Sequence, residues 1–343
     1  MKRTKRQHIL PVSYLRRFSE GEKVWVHNFQ KETSYINNIE DAACIDDFYT
    51  VHTHDNKEDD LIESNFLAKI EGIGNPIIDQ MINKMQIPKG REKSLFCNYI
   101  AIMYSRGVWF RQILLEVYEH FAHWSVEQLL SDEVFFNKTM EEIKSNTGID
   151  YDLTFKQAKE ISENADIGVN IPRTFYVKEM MIYAAPMVNI FCRMNFNLIY
   201  TEPLSDSEFI TSDKPIVAVP SDIIGQKYQN WLEDPDVELY FPLSSKTCLM
   251  IDKKNEPRFL SAGKNKVASI NGVLTNDCVY ITISKHKEYI WFRKNKTISH
   301  SIEELFALLS EDKRNLPRVN QISGQELKSK ARSNLNILKG KDE

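Results

Sequence analysis

The first 50 residues alternate between apolar and polar positions in the way that strands do. In the run from residue 22 to residue 29, Val24 and Val26 fall on one side and Trp25 and His27 on the other, which is the two-residue period of a strand. A second short β candidate spans residues 46–54. The pattern therefore predicts a β-rich opening over residues 1–55.

From residue 56 to residue 193 the apolar period becomes helical. The first helix begins near Leu61, and Gly72, Gly74 and Pro76 are expected to break or kink it. Residues 91–130 contain no proline and are expected to form one long helix or two helices in line. Two shorter helices should follow before Pro172, which suits the first turn of a further helix.

After residue 194 short apolar runs, separated by Pro, Asp and Ser, predict strands, with helices near residues 264–276 and 302–309. The order β, then α, then mostly β predicts an α+β fold. Its parts are an N-terminal β segment, a central long-helix block, and a C-terminal, mostly antiparallel β region over residues 194–312 with one or two helices. We expect residues 1–312 to form a single body and residues 313–343 a basic, polar tail.

The composition of the chain limits the classes of binding partner that are expected. The 343 residues carry 44 Lys and Arg against 48 Asp and Glu, a formal net charge of −4. This balance excludes a uniformly basic nucleic-acid binder, but basic residues gather at both termini, which are therefore candidates for contacting the phosphates of a nucleic acid. A protein partner is the alternative, and the composition favours no particular oligomeric state.

Cysteine spacing and hydropathy bear on location. Five well-separated cysteines without a Cys-x-x-Cys pair argue against a disulfide framework or a cysteine zinc site, and they favour the reducing cytoplasm. No apolar stretch reaches the roughly 18 residues of a membrane-spanning helix. We therefore expect a soluble, cytoplasmic protein without a membrane partner.

The most distinctive stretch runs from residue 7 to residue 18, where His8 and Pro11 precede Tyr14. Further short motifs follow it in order: Asp-Phe-Tyr-Thr at 47–50, a helix with Glu63 and Glu71, Phe-Ile-Thr-Ser-Asp-Lys-Pro at 209–215, and Phe-Pro-Leu-Ser at 241–244. In these motifs the chain resembles the bacterial domain of unknown function 4238 family, from about residue 5 to about residue 290. The resemblance brings no activity, cofactor or catalytic residue with it.

Residues 8–13 are also similar to the His-Ile-x-Pro-x-Ser strand of HNH-type nucleases. That resemblance implies that His8 is a general base beside a divalent metal. Two features depart from it, because Gln7 replaces the usual acidic residue, and residues 22–29 have a strand pattern where a metal-binding helix would be needed. In the structural alternative His8 hydrogen-bonds within a turn, Pro11 starts a helix, and Tyr14 packs into the core.

Ser212 and Asp213 follow one predicted strand and precede another. Side chains of this type hydrogen-bond backbone amides two residues on and so stabilise turns. In the functional alternative Asp213 faces a cleft at the strand end, where it serves as a metal ligand or an acid–base group. A restriction-type nuclease core would need a Glu-x-Lys next, but Tyr240 stands where the lysine belongs.

Arg106 interrupts an otherwise apolar helix, and Gly107 beside it lets another backbone approach closely. A buried arginine needs a carboxylate, for which Glu63 and Glu71 are the candidates. The pair is either a structural ion pair or part of a site in which Arg106 binds a phosphate or carboxylate group. Asn271 is a further polar residue within a helical segment, and it is expected to cap that segment or to bridge to the strand region.

These residues lead to three hypotheses. The first is a metal-dependent nuclease or phosphodiesterase linked to bacterial defence, in which Asp213 and a glutamate hold Mg²⁺, His8 activates water, and Arg106 stabilises the charge on phosphate. The second is a non-catalytic module that binds nucleic acid or protein. The third is a structural subunit of a larger complex. Because no complete catalytic motif is present, the sequence leaves open whether the protein is an enzyme.

Overall fold

The computed structural model describes residues 5–52, 58–59, 62–164, 168–202, 205–219, 232, 234–254, 256–292 and 297–314. The chain divides into two compact units. The first unit contains residues 1–110 and 173–321, and the second contains residues 111–172 and 322–343. The predicted single body of residues 1–312 includes residues of both units and stays a prediction. Most of the predicted basic tail lies outside the described residues.

The N-terminal part of the first unit is rich in short strands, as its alternating pattern predicts. Val24 and Val26 are buried, and their strand pairs with the next one along the chain. The elements are β1 (Arg6–His8), α1 (Val12–Leu15), a 3₁₀ turn (Arg16–Phe18), β2 (Lys23–Asn28), β3 (Thr33–Asn38), β4 (Cys44–Asp46), β5 (Val51–His52) and β6 (Glu58–Asp59).

Helices occupy the middle of the chain. The side chain of Asp132 accepts a hydrogen bond from the backbone N–H of Phe135 and so caps the helix Glu133–Thr147, which is followed by Gly148 with a positive φ of 70°. After a π-helical turn (Ile62–Leu67) the helices are α2 (Ala68–Lys84), α3 (Gly90–Ser105), α4 (Val108–Leu129), α5 (Glu133–Thr147), α6 (Phe155–Asn164) and α7 (Arg173–Arg193). In the first unit α3 packs along α2 and α7.

The expected break at Gly72, Gly74 and Pro76 is wrong, because α2 runs through all three residues, and the alternative of a kink stays a prediction. The absence of a side chain at Gly74 is explained by helix packing and not by backbone conformation. A Cβ atom at this position would overlap with the ring of Tyr99 on α3. The glycine therefore lets the two helices approach closely, and the loss of helix propensity is offset by that packing.

This packing gives a prediction with a control in the same helix. Gly74→Ala should lower the free energy of unfolding by about 2 kcal/mol, the usual scale for overpacking a core. Gly72→Ala meets no atom within 4 Å and should raise that free energy by about 0.5–1 kcal/mol, since alanine is the better helix former. Urea denaturation of both variants measures the two effects. Equal changes in the two variants would contradict the packing explanation.

Strands dominate the C-terminal part of the first unit. A helix (Lys264–Asp277) contributes Val267, Ile270 and Leu274 to the core that also contains Met250 and Trp291. The elements are β7 (Asn195–Thr201), β8 (Thr211–Ser212), β9 (Val217–Val219), β10 (Glu238–Pro242), β11 (Thr247–Asp252), β12 (Phe259–Ala262), α8 (Lys264–Asp277), β13 (Ile281–Ser284), β14 (Trp291–Phe292), β15 (Ile298–Ser299) and α9 (Ile302–Arg314).

Two larger sheets organise these strands. One has the order β12-β7-β11-β10-β9, in which β12 and β7 are parallel and the other pairs are antiparallel. The other has the order β3-β2-β13-β8 and is antiparallel throughout. In this sheet Val26 of β2 pairs with Ile283 of β13. The sheet therefore joins the N-terminal strands to the C-terminal part of the first unit.

The fold class is therefore α+β, with N-terminal strands, a central helix block and mostly antiparallel C-terminal sheets, as the sequence predicts. About 50% of the described residues are helical and about 20% lie in strands. Within the described part of the chain, no helix is both long enough and apolar enough to cross a membrane.

Candidate functional site

The N-terminal motif of residues 7–18 connects distant segments of the first unit. Pro11 precedes α1, and its carbonyl oxygen accepts hydrogen bonds from the backbone N–H groups of Tyr14 and Leu15. The fully buried Tyr14 hydroxyl donates to the Pro242 carbonyl oxygen at 2.7 Å and lies 2.8 Å from the Thr211 hydroxyl. Tyr14 thus connects the N-terminal motif to the motifs at residues 209–215 and 241–244. This agrees with the structural alternative, in which Tyr14 packs into the core.

Arg106 is the centre of the buried polar network. It follows α3, its side chain is 1% exposed, and its Nη1 donates to Glu71 Oε1 on α2 at 2.7 Å. Its Nη2 donates to the backbone carbonyl oxygen of His8 at 2.7 Å. The Arg106 carbonyl oxygen in turn accepts from the hydroxyls of Tyr49 at 2.8 Å and Tyr176 at 2.9 Å. One residue therefore holds β1, α2, α3 and α7 together.

Tyr176 and Gln7 also belong to this network, and neither is predicted as a member of it from the sequence. Gln7 is fully buried, and its side-chain amide donates to the hydroxyl of Thr50 at 3.1 Å. Tyr49 and Thr50 belong to the Asp-Phe-Tyr-Thr motif, so that motif was the signal for them. Tyr176 lies in a helical run without a motif, and its partner is 70 positions away.

His8 lies on β1, where its imidazole Nε2 is 3.0 Å from the carbonyl oxygen of Glu40. Because a carbonyl only accepts, Nε2 carries the proton, and the neutral ring has its lone pair on Nδ1. Burial lowers the pKa of His8, the Glu40 carbonyl raises it, and the nearby charges of Arg106 and Glu71 have smaller, opposing effects. The structure thus brings His8, Arg106 and Glu71 into one neighbourhood.

Asp213 is fully buried, and its carboxylate accepts hydrogen bonds from the backbone of the segment that leads into β13. Oδ1 accepts from the N–H of Val279 at 2.8 Å, and Oδ2 accepts from those of Tyr280 at 2.7 Å and Ile281 at 3.2 Å. A carboxylate held in this way organises a loop. The geometry therefore favours a structural function for Asp213 over its predicted function as a metal ligand.

Gly107 explains how the Arg106 and Asp213 segments meet. A Cβ atom at Gly107 would lie 2.8 Å from the carbonyl oxygen of Asp213, a distance that real Cβ contacts do not show. This is the close backbone approach that the glycine beside Arg106 predicts. The two segments are neighbours through their backbones, and the Asp213 carboxylate binds the amides of the β13 segment.

The Ser212 side chain completes a turn. Its hydroxyl donates to the carbonyl oxygen of Lys214 at 2.8 Å and accepts from the Lys214 N–H at 3.3 Å. The Lys214 ammonium donates to Asp277 Oδ2 at 2.9 Å and lies 5.3 Å from the centre of the Trp109 ring. These contacts support the turn interpretation of the Ser-Asp-Lys-Pro motif.

Asn271 on α8 is fully buried and bridges to the strand region, as its sequence position predicts. Its Oδ1 accepts from the N–H of Ile210 at 3.1 Å, and its Nδ2 donates to the carbonyl oxygens of Glu208 at 2.9 Å and Ile290 at 3.0 Å. The carboxamide thus satisfies three backbone groups that no regular strand pairing reaches.

The predicted Mg²⁺ site can be compared with these positions. Glu71 is paired with Arg106, and Asp213 binds backbone amides. Among the described residues no three His, Cys, Asp or Glu side chains form a group that could hold a metal ion. The side chain of Glu63 lies outside the described residues, so its assignment as a metal ligand stays a prediction.

The basic N-terminus is neutralised where it is described. Lys5 pairs with Asp46 at 3.4 Å, and Arg6 with Asp41. Arg16 pairs with Glu22 at 2.9 Å, and Arg17 with Asp79 at 2.7 Å. The side chains of residues 1–4 and of the tail from residue 313 onward, which carry the other basic residues of the nucleic-acid prediction, lie outside the described residues.

A different surface stands out in the second unit. Between residues 112 and 129, all of which are described, no side chain of α4 is fully buried. Four of the exposed residues follow one another in steps of four, four and three and so share one face of the helix. This face carries Ile113, Val117, Phe121 and Trp124, of which the last three are 56%, 59% and 55% exposed. We call these four residues the α4 stripe.

Of three comparisons with known proteins, one found a match. Neither the curated proteins nor the solved structures contain a match to the chain. A family model described as "Protein of unknown function (DUF4238)" matches residues 6–290, a range that contains Tyr14, Arg106, Asp213 and Asn271. Because the match covers most of the sequence, the chain belongs to the DUF4238 family.

Proposed function

We propose that the protein works by binding another protein and that the α4 stripe is the contact surface. The observation that supports this proposal most is the exposure of an aromatic and aliphatic row on a 22-residue helix. The rings of Phe121 and Trp124 lie 5.8 Å apart and form one continuous patch. Burying such side chains against a partner stabilises a complex by roughly 1.5–3 kcal/mol each.

The distribution of exposed apolar residues supports the same surface. Half of the large apolar side chains that are exposed among the described residues belong to residues 111–172. Besides the α4 stripe they include Val134, Phe135, Ile149 and Tyr151. Single exposed apolar residues are ordinary, but a concentration of aromatic residues is typical of interaction surfaces.

The other hypotheses have less support. For nucleic-acid binding, the described N-terminal cations are paired with carboxylates, which lowers their value as phosphate contacts. For the hydrolase, the proximity of His8, Glu71 and Arg106 is the favourable observation. Arg106 and Asp213, however, are hydrogen-bonded within the fold, which supports a structural function for both side chains more than a catalytic one. The link to bacterial defence stays a hypothesis.

Site-specific photo-crosslinking in cells tests the proposal. The photoreactive residue benzoylphenylalanine replaces Phe121 in the full chain, and in a matched control it replaces Ile182, which is 53% exposed on α7. We expect a light-dependent adduct of discrete mass from position 121 and none from position 182, because only the first lies in the α4 stripe. No adduct at position 121, or equal adducts at both positions, would overturn the proposal.

A further inference from the structure

We infer that the protein bound by the α4 stripe is a second copy of this chain, and that the two α4 helices pair in antiparallel orientation. This inference rests on the proposed function and adds the identity of the partner. It follows from two properties of the stripe, the order of its side-chain sizes and the charges beside it.

The first property is the order of sizes along the stripe. The two smaller side chains, Ile113 and Val117, lie nearer the N-terminus of the helix, and the two larger ones, Phe121 and Trp124, lie nearer its C-terminus. An antiparallel pair with its two-fold axis between residues 117 and 121 sets Ile113 opposite Trp124 of the second copy, and Val117 opposite Phe121. Each aromatic ring then faces a smaller side chain, which is the interdigitation that helix packing requires.

A parallel pair would be less favourable. It would place Trp124 against Trp124 of the second copy and Phe121 against Phe121, while Ile113 and Val117 would leave gaps at the other end. Packing with such gaps forfeits dispersion contacts along half of the stripe. The size order is therefore complementary to itself only when the helices run in opposite directions.

The second property is the charge beside the stripe. Glu116, His120 and His123 are exposed and lie on the same flank of the stripe. In an antiparallel helix pair this flank faces the same flank of the second copy, so Glu116 lies opposite the level of His120 and His123. A histidine ring donates an N–H to a carboxylate whether it is neutral or charged. In a parallel pair this flank would face the opposite flank of the second copy, so Glu116 would lose His120 and His123 as neighbours.

Sedimentation equilibrium of the purified full chain tests whether the second copy binds. We expect a dimer for the unmodified protein and an increase of about 30-fold or more in its dissociation constant for Phe121→Glu, the scale of a buried aromatic anchor. Phe121→Ser is a milder second variant and should also weaken the dimer. Ile182→Glu, which changes an equally exposed apolar residue on α7, should leave the dissociation constant unchanged.

Orientation is tested with a short bismaleimide crosslinker. A chain with Ile113→Cys and Trp124→Cys should form a covalent dimer, and a chain with Trp124→Cys alone should not exceed the background of the five native cysteines. Efficient crosslinking of Trp124→Cys alone would show a parallel pair and overturn the antiparallel arrangement. A purified protein that sediments as a monomer at every soluble concentration would overturn the second copy as the partner. If Phe121 still crosslinks to a different protein in cells, the proposed function stands while this inference fails.

Discussion

Replacing Asp213 with alanine should lower the free energy of unfolding by about 4 kcal/mol. Three backbone N–H groups, those of Val279, Tyr280 and Ile281, donate to the Asp213 carboxylate in a fully buried position. Hydrogen bonds to a charged acceptor are each worth about 1.5–3 kcal/mol, and donors that lose such a partner retain their desolvation cost. Chemical denaturation, followed by circular dichroism, measures the change.

Two further variants locate the cause. Asp213→Asn keeps the shape but presents an N–H where an acceptor is needed, so we expect about half of the loss. Asp277→Ala removes a carboxylate that makes a partly exposed ion pair with Lys214, and it should cost about 1 kcal/mol or less. If Asp213→Ala unfolds at the same denaturant concentration as the unmodified protein, the Asp213 carboxylate does not stabilise the fold. Asp213 would then again be a candidate catalytic residue.

Replacing Arg106 with methionine should lower the free energy of unfolding by about 3–5 kcal/mol, the usual cost of removing one partner of a buried ion pair. The change removes the cation that pairs with Glu71 and the Nη2 donor to the His8 carbonyl oxygen. Tyr49 and Tyr176 bind the backbone of residue 106, so their hydrogen bonds persist in the variant. Urea denaturation measures the loss.

A double-mutant cycle separates the ion pair from packing. Adding Glu71→Gln to Arg106→Met should recover part of the stability, because the unpaired carboxylate is then removed. Arg16→Met is the matched control, since Arg16 forms an exposed pair with Glu22 and should cost less than about 1 kcal/mol. Strictly additive losses in the cycle would show that Arg106 and Glu71 do not interact.

Local patterns predicted the elements better than their partners. The α+β class, the strand over β2 and the helix after Pro172 follow from residue periodicity, which acts over a few positions. The continuous α2 was missed because Gly74 is explained by Tyr99, which lies on another helix. The sheet that pairs β2 with β13 joins residues more than 250 positions apart, and no local rule specifies such a pairing.

The partners in the buried polar network were also harder to predict than the elements that carry them. A buried arginine needs a carboxylate, and that rule predicts Glu63 or Glu71 as the partner of Arg106, of which Glu71 forms the ion pair. For Asp213 the sequence indicated a turn, but the amides that it binds lie 66 to 68 positions away. The apolar positions of α4 were recognised as a helical pattern, yet only the tertiary structure distinguishes a buried face from an exposed one.

The buried polar residues and the α4 stripe have different functions in the molecule. Buried polar residues, among them Tyr14, Arg106, Asp213 and Asn271, hold the first unit together through hydrogen bonds. The α4 stripe in the second unit supplies the binding surface that we propose. Losses of function in variants of the motif residues are therefore expected to follow losses of stability.

A cleavage assay tests this division most directly. The purified protein is incubated with single- and double-stranded DNA and with RNA in the presence of Mg²⁺, beside a His8→Ala variant whose unfolding free energy has been measured. Because the His8 ring is only partly buried and its Nε2 lies 3.0 Å from the backbone carbonyl oxygen of Glu40, the variant is expected to remain folded. We predict no cleavage by either protein. Mg²⁺-dependent cleavage by the unmodified protein that is lost in the folded His8→Ala variant would contradict the account.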